Sequence, residues 1–209
     1  DKAYGEYGIK NMPYQETYKL KPLYPYDTSK ACADMISQTY SSNIYKLPII
    51  TTRFANIYGP GQLNFTALIP DAIRSCILKK KFKLRGNGED VRDFIYIDDI
   101  IDLYKLLSKK LFENPKKYSS EVFNAGTNKP HKIKDILKKI YLFKNMKSDY
   151  NKIINKAKKN KTSGEISIQF MDHKKLKNNF GWRPKKKVDN TIPELFRWYE
   201  NYLKNENRF

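Results

Sequence analysis

Between Leu68 and Leu78 the apolar residues Leu68, Ile69, Ala72, Ile73 and Ile77 recur every three or four positions, which predicts a helix with one buried face. The same spacing predicts a helix over 100–111, with apolar positions at 100, 101, 103, 104, 106 and 107 and with Asp98 or Asp99 placed to cap it. Further helices are expected over 133–143 and, amphipathic and closing the chain, over 191–203. A proline ahead of the helix-forming run Lys30-Ala31-Cys32-Ala33-Asp34-Met35-Ile36 predicts another helix, starting at Pro25 or Tyr26. Strand signals lie between them. Residues 47–54 are β-branched and continuous enough to be a buried parallel strand. Residues 94–97 and 122–124 are short apolar strands, and 166–170 alternates apolar with polar. Strands interleaved with helices and no internal repeat point to an α/β fold.

Composition narrows the class. The chain is 40% hydrophobic and 14% aromatic, with no apolar run long enough to span a bilayer and no signal-peptide pattern. Cys32 and Cys76 fall in helix-like segments, and His131 and His173 read as isolated surface residues. No disulfide framework, zinc spacing or metal site is expected from them, and a reducing cytoplasm is the expected compartment.

The formal charge of +19 is unevenly distributed. Residues 1–104 hold 14 basic and 12 acidic side chains, whereas 105–209 hold 27 and 10. Of the 41 basic residues 34 are Lys and 7 Arg, a bias of composition; specific nucleic-acid surfaces favour the bidentate Arg fork. The densest run, 144–164, has seven Lys against one acid and reads as a solvated loop or exposed helix. No specific nucleic-acid partner and no membrane are expected.

Chemistry enters with Tyr26 and Lys30, a Y-x-x-x-K pair whose spacing places phenol and ammonium on one helix face. A free tyrosine, with a pKa near ~10, is a poor base at neutral pH. A fixed positive charge beside it favours the phenolate, the form that takes a proton from a hydroxyl. Around this pair stand Asp1-Lys2-Ala3-Tyr4-Gly5, Thr52-Arg53-Phe54-Ala55-Asn56-Ile57-Tyr58-Gly59-Pro60-Gly61, Leu68-Ile69-Pro70-Asp71-Ala72-Ile73-Arg74, residues 86–99 with Arg92-Asp93-Phe94-Ile95-Tyr96-Ile97, and Val122-Phe123-Asn124-Ala125-Gly126. In this order the set resembles the extended short-chain dehydrogenase/reductases that act on nucleotide-linked sugars, the epimerase/dehydratase family. The resemblance runs from residue 1 to about 126 and, more loosely, to Gly181-Trp182-Arg183-Pro184.

The resemblance implies the C-terminal part of a Rossmann-like doubly wound parallel sheet plus a smaller α/β substrate-binding lobe. Residues 1–60 are expected to finish the NAD-binding domain, and 61–209 to form mainly the substrate lobe, with an interleaved return to the first domain. The family's G-x-G-x-x-G turn occurs nowhere in these 209 residues. The chain therefore reads as the C-terminal part of a longer protein, from which on the order of a hundred residues are absent. Weak retention of cofactor by this portion alone is expected.

By the same resemblance, Tyr26 takes the proton of a sugar hydroxyl while NAD, or NADP, accepts hydride from the same carbon, and Lys30 binds the nicotinamide ribose. Ala55 lies where backbone meets the nicotinamide. Asp1-Lys2 occupies the positions of an acid/base pair in nucleotide-sugar 4,6-dehydratases: Asp1 as the acid that protonates the departing C6 hydroxyl, Lys2 as the base that takes the C5 proton. An NAD-dependent epimerase is the alternative function, and an inactive truncated remnant the second; on its own terms Asp1-Lys2 also reads as a surface ion pair. Arg92 corresponds to the diphosphate-binding arginine, with an ion pair to Asp93 or Asp90 as the structural alternative. Asn56 corresponds to the residue holding the sugar or diphosphate, and Leu68, Lys83 and Arg85 to those clasping base and ribose. Asn124 either touches the nucleotide-diphosphate sugar or bonds neighbouring backbone. A homodimer built on the Tyr26 helix is the expected assembly of the whole enzyme.

Overall fold

The computed structural model describes residues 1–160 and 164–206. After two short 3-10 turns, Lys2–Tyr4 and Ile9–Asn11, come α1 (Pro25–Ser41), β1 (Thr51–Phe54), β2 (Asn56–Tyr58), α2 (Leu68–Leu78), β3 (Val91–Arg92) and β4 (Phe94–Tyr96). They are followed by α3 (Ile97–Glu113), α4 (Pro115–Tyr118), β5 (Val122–Ala125), β6 (His131–Lys132), α5 (Ile133–Phe143), α6 (Lys147–Ala157), β7 (Ile168–Gln169), α7 (Lys174–Phe180) and α8 (Val188–Glu206). The chain forms two compact units. One comprises Asp1–Ile57, Arg92–Pro130 and Ile166–Lys185; the other Tyr58–Val91, His131–Glu165 and Lys186–Phe209. Residues 92–130 and 166–185 thus belong to the same unit as the start of the chain.

In the first unit β1 and β5 pair in parallel, in the register Thr51↔Val122 to Phe54↔Ala125. Helix α1 packs on β1 and on the Lys2–Tyr4 turn, α3 on β4, and α7 on β5. The core gathers Tyr4, Tyr14, Ile95, Leu103, Phe123, Met171 and Trp182. Helix α1 departs from the usual amphipathic pattern: it buries Asp27, Ala31, Asp34 and Ser41 and leaves Met35 and Ile36 about 60% exposed. The second unit is helical at its centre, with α2 and α8 both packed on α5, and α6 packed on α5 as well. Phe143 stacks on Phe196 at 5.1 Å, and Tyr199 donates to Gln62 O at 2.7 Å.

Several expectations are corrected. The strand of 47–54 forms only over Thr51–Phe54; Pro48, which has no N–H to give a ladder, lies ahead of it. Asp98 and Asp99 do not cap α3. The helix starts at Ile97, both acids lie inside its first turn, and Asp99 Oδ1 accepts from the Lys185 backbone at 3.0 Å. His173 is half-buried, with Nδ1 2.9 Å from Gly126 O and its ring edge-on to Trp182. The lysine run at 144–164 forms α6 over Lys147–Ala157, while residues 161–163 lie outside the described residues.

Candidate active site

Pro25 occupies the first turn of α1, where its missing N–H costs nothing, and Tyr26 and Lys30 follow on the exposed side. Lys30 Nζ sits 5.2 Å from the Tyr26 ring centroid, and Tyr26 is 62% exposed. The turn is fastened from within: Thr28 N donates to Tyr24 O at 2.8 Å and Ser29 Oγ to Tyr26 O at 2.7 Å. Phenol and cation therefore stand together on a rigid helix end that a ligand can reach.

Asp1 and Lys2, both partly buried, open the 3-10 turn that packs against α1. Asp1 N donates to Phe54 O at 2.7 Å, which ties this segment to the end of β1. Asn56 Nδ2 donates to Asp93 O at 3.0 Å and reaches Asp1 Oδ2 at 3.4 Å, so Asn56 and Asp1 share one corner of the unit. Gly5 makes the turn possible. Its φ is +74°, and a Cβ there would sit 1.8 Å from Lys21 O.

Ala55 is buried, and its N–H bonds to Ala125 O at 3.2 Å, extending the β1–β5 ladder. Arg92 is 6% exposed and donates from Nη1 to Ser167 O at 3.4 Å. The Asp93 carboxylate turns to the loop after β5, where it accepts from Thr127 N at 2.8 Å, Asn128 N at 3.2 Å and Thr127 Oγ1. Burial pushes the Asp93 carboxyl up to about 6, against these donors, which pull it down.

Asn124 is placed in the interior. It accepts from Tyr4 Oη at 2.7 Å through Oδ1 and donates to Tyr14 O at 3.1 Å through Nδ2. Fully buried, it bonds neighbouring structure and presents nothing to a substrate. In the second unit, Leu68 begins α2, and Lys83 and Arg85 are exposed while Phe82 and Leu84 between and before them are buried. The alternation turns both cations to one side of an extended segment.

One further group in the first unit was not singled out by pattern reading. Arg53, Asp34, Tyr4 and Glu16 form a buried polar network below α1. The one signal for it is Arg53 within the segment Thr52 to Gly61. Among the described residues no cluster of His, Cys, Asp and Glu is arranged to hold a metal, and no helix is long and apolar enough to cross a membrane.

Known proteins agree with this architecture. A family model described as GDP-mannose 4,6 dehydratase matches residues 1–195. Human dTDP-D-glucose 4,6-dehydratase is 29% identical over 206 residues, which cover 97% of this chain and 55% of the human protein. The crystal structure of dTDP-glucose 4,6-dehydratase from Bacillus anthracis in complex with NAD has a TM-score of 0.77 at 30% identity, over 96% of this chain and 59% of that one. UDP-glucose 4-epimerase from Thermotoga maritima with UDP-glucose gives 0.75 at 25% identity, over 97% and 62%. Across the first curated relatives the chain spans 28% to 55% of their length.

Proposed function

From its membership of the GDP-mannose 4,6-dehydratase family, to which this chain belongs, we propose that the protein is a nucleotide-sugar 4,6-dehydratase whose acid–base residues are Tyr26, Lys30, Asp1 and Lys2. The observation that carries the reading is the packing of the Asp1–Lys2 turn against α1, the helix that presents Tyr26 and Lys30. A redox-linked base and an elimination pair are then held by contiguous structure. The exposed phenol and ammonium fit the nicotinamide end of NAD or NADP, and the buried Ala55 backbone lies two residues beyond Arg53 on the same strand path. NAD held there would supply the hydride acceptor for oxidation at sugar C4 and the hydride donor for reduction at C6.

The chain's own residues move the protons. The Lys30 ammonium favours the Tyr26 phenolate by its nearby charge, and that phenolate takes the proton of the C4 hydroxyl, becoming the neutral phenol. The new C4 carbonyl acidifies the C5 proton, which Lys2 Nζ removes and which Lys2 gives back to C5 when C6 is reduced. As the C5=C6 bond forms and C6–O breaks, Asp1 delivers a proton to the departing oxygen, which leaves as water. Asn56, beside Asp1, orients the sugar or its diphosphate. Arg92 binds the diphosphate. The exposed Met35, Ile36 and Tyr40 on α1 support a homodimer of the whole enzyme, with a second copy covering that face.

The test is Lys2→Met in the whole natural protein, read by solvent deuterium at C5 and by formation of a 4-keto-6-deoxy sugar. Loss of about 10²–10⁴-fold in elimination, with C4 oxidation retained, is expected. Tyr26→Phe should block both steps. Wild-type enzyme that interconverts C4 epimers without C5 exchange or loss of water is an epimerase; wild type inactive on every nucleotide sugar is a remnant.

A further inference from the structure

The buried ion pair under the candidate site takes no part in the chemistry above. Arg53 Nε donates to Asp34 Oδ2 at 2.7 Å and Nη2 donates to Asp34 Oδ1 at 3.0 Å, a two-pronged pairing with both side chains under 10% exposed. Asp34 lies one turn beyond Lys30 on α1, so Tyr26, Lys30 and Asp34 follow one another at four-residue steps. Arg53 lies on β1, two residues before Ala55 and three before Asn56. Its remaining nitrogen, Nη1, donates to Tyr4 Oη at 2.8 Å and to Glu16 O at 3.3 Å. Tyr4 closes the turn that Asp1 and Lys2 open, and its hydroxyl donates onward to Asn124 Oδ1 at 2.7 Å. Burial pushes the Tyr4 phenol up to about 12, which keeps it protonated and able to donate.

A buried ion pair is a poor device for stability, because desolvating both charges consumes most of what their attraction returns. Apolar residues would fasten α1 to β1 equally well. What the guanidinium adds is direction: its planar fork fixes the carboxylate, and the N–H left over points to a third segment. A lysine would give one charge and no fork.

We propose that Arg53 is a positioning residue which, paired with Asp34 and bonded to Tyr4, fixes the Asp1–Lys2 turn against the Tyr26–Lys30 turn, so that oxidation at C4 and elimination across C5–C6 act on the same bound sugar. The inference rests on the dehydratase reading for its chemistry, but not for its mechanics. Tyr4→Phe is the sharpest perturbation. It removes one hydroxyl, cuts the link between Arg53 and the turn, and leaves the ring stacked on Tyr14 at 4.7 Å. Arg53→Lys is the second variant, retaining the charge opposite Asp34 without the third contact.

In the whole natural protein, two rates separate under this proposal. C5 solvent exchange should fall by about 10²-fold, the effect of a misplacement near 1 Å. First-turnover nicotinamide reduction, which needs Tyr26 and Lys30 alone, should stay within a few-fold of wild type. Amide hydrogen exchange should quicken over residues 2–5 and stay unchanged over 28–36. Equal loss of both rates, or no change in either, would assign the network to stability and overturn the proposal. If wild type loses no water, the dehydratase reading falls, and the exchange experiment decides alone: unaltered protection at residues 2–5 in both variants overturns the positioning role.

Discussion

Asp93→Asn should abolish a pH dependence that the wild-type fold carries. The carboxyl is fully buried and stands at about 6 in the folded chain against 3.8 for an exposed group. At about 1.4 kcal/mol per unit, keeping it ionised at neutral pH costs roughly 3 kcal/mol. The sign follows from the order of titration. Because the folded value lies above the unfolded one, the unfolded chain ionises first as pH rises. Stability therefore falls between about pH 4 and pH 6 and is level outside that window. Asparagine keeps the shape and removes the titration: its carbonyl oxygen can take the Thr127 and Asn128 N–H groups, and its amide can donate to Thr127 Oγ1. Asp93→Ala strands those groups at every pH and should cost about 3–5 kcal/mol. Urea unfolding across the acid range reads the effect. Trp182 reports the unit that holds Asp93, with Trp198→Phe silencing the tryptophan of α8. The stability difference between wild type and Asp93→Asn should change by about 2–2.5 kcal/mol between pH 4 and pH 7. A difference that stays constant over that range would refute the assignment of burial as the cause of the shift.

Gly5→Ala should unfold the Asp1–Lys2 turn, since its Cβ would meet Lys21 O at 1.8 Å; a loss of several degrees in Tm is the expected reading. Asn124→Ala should cost about 2–4 kcal/mol by denaturation, by removing the acceptor of the Tyr4 O–H and the donor to Tyr14 O, while leaving KM for the sugar nucleotide unchanged in the folded fraction. A thiol reagent should label Cys32 quickly in the native state and Cys76 only on unfolding, because Cys76 is buried and its thiol is pushed up to about 11. Ile36→Asp should shift the whole protein from dimer to monomer in light scattering, while a wild type that is already monomeric removes the dimer proposal.

How much of this was legible depends on the range of the interactions concerned. Helices α2 and α5 run over Leu68–Leu78 and Ile133–Phe143, the limits their apolar spacing predicts, because a helix face is written into residues three and four apart. The Tyr26–Lys30 pairing is legible for the same reason. Asn124 is not: its two side-chain partners lie 120 and 110 residues away, and no local pattern distinguishes a saturated buried amide from one that greets a ligand. Helix α1 misleads most instructively. Its buried stripe has helical spacing at residues 27, 31 and 34, yet two of the three are aspartates, while its apolar Met35 and Ile36 face outward. A reading that equates apolar with inside selects the wrong face of this helix. The inversion has a physical basis: Asp34 is tolerated inside only because Arg53, nineteen residues on, meets both of its oxygens. An acid on the inner face of a helix with apolar residues on its outer face is therefore a sequence signal in its own right. It says that the inner face meets a buried cation.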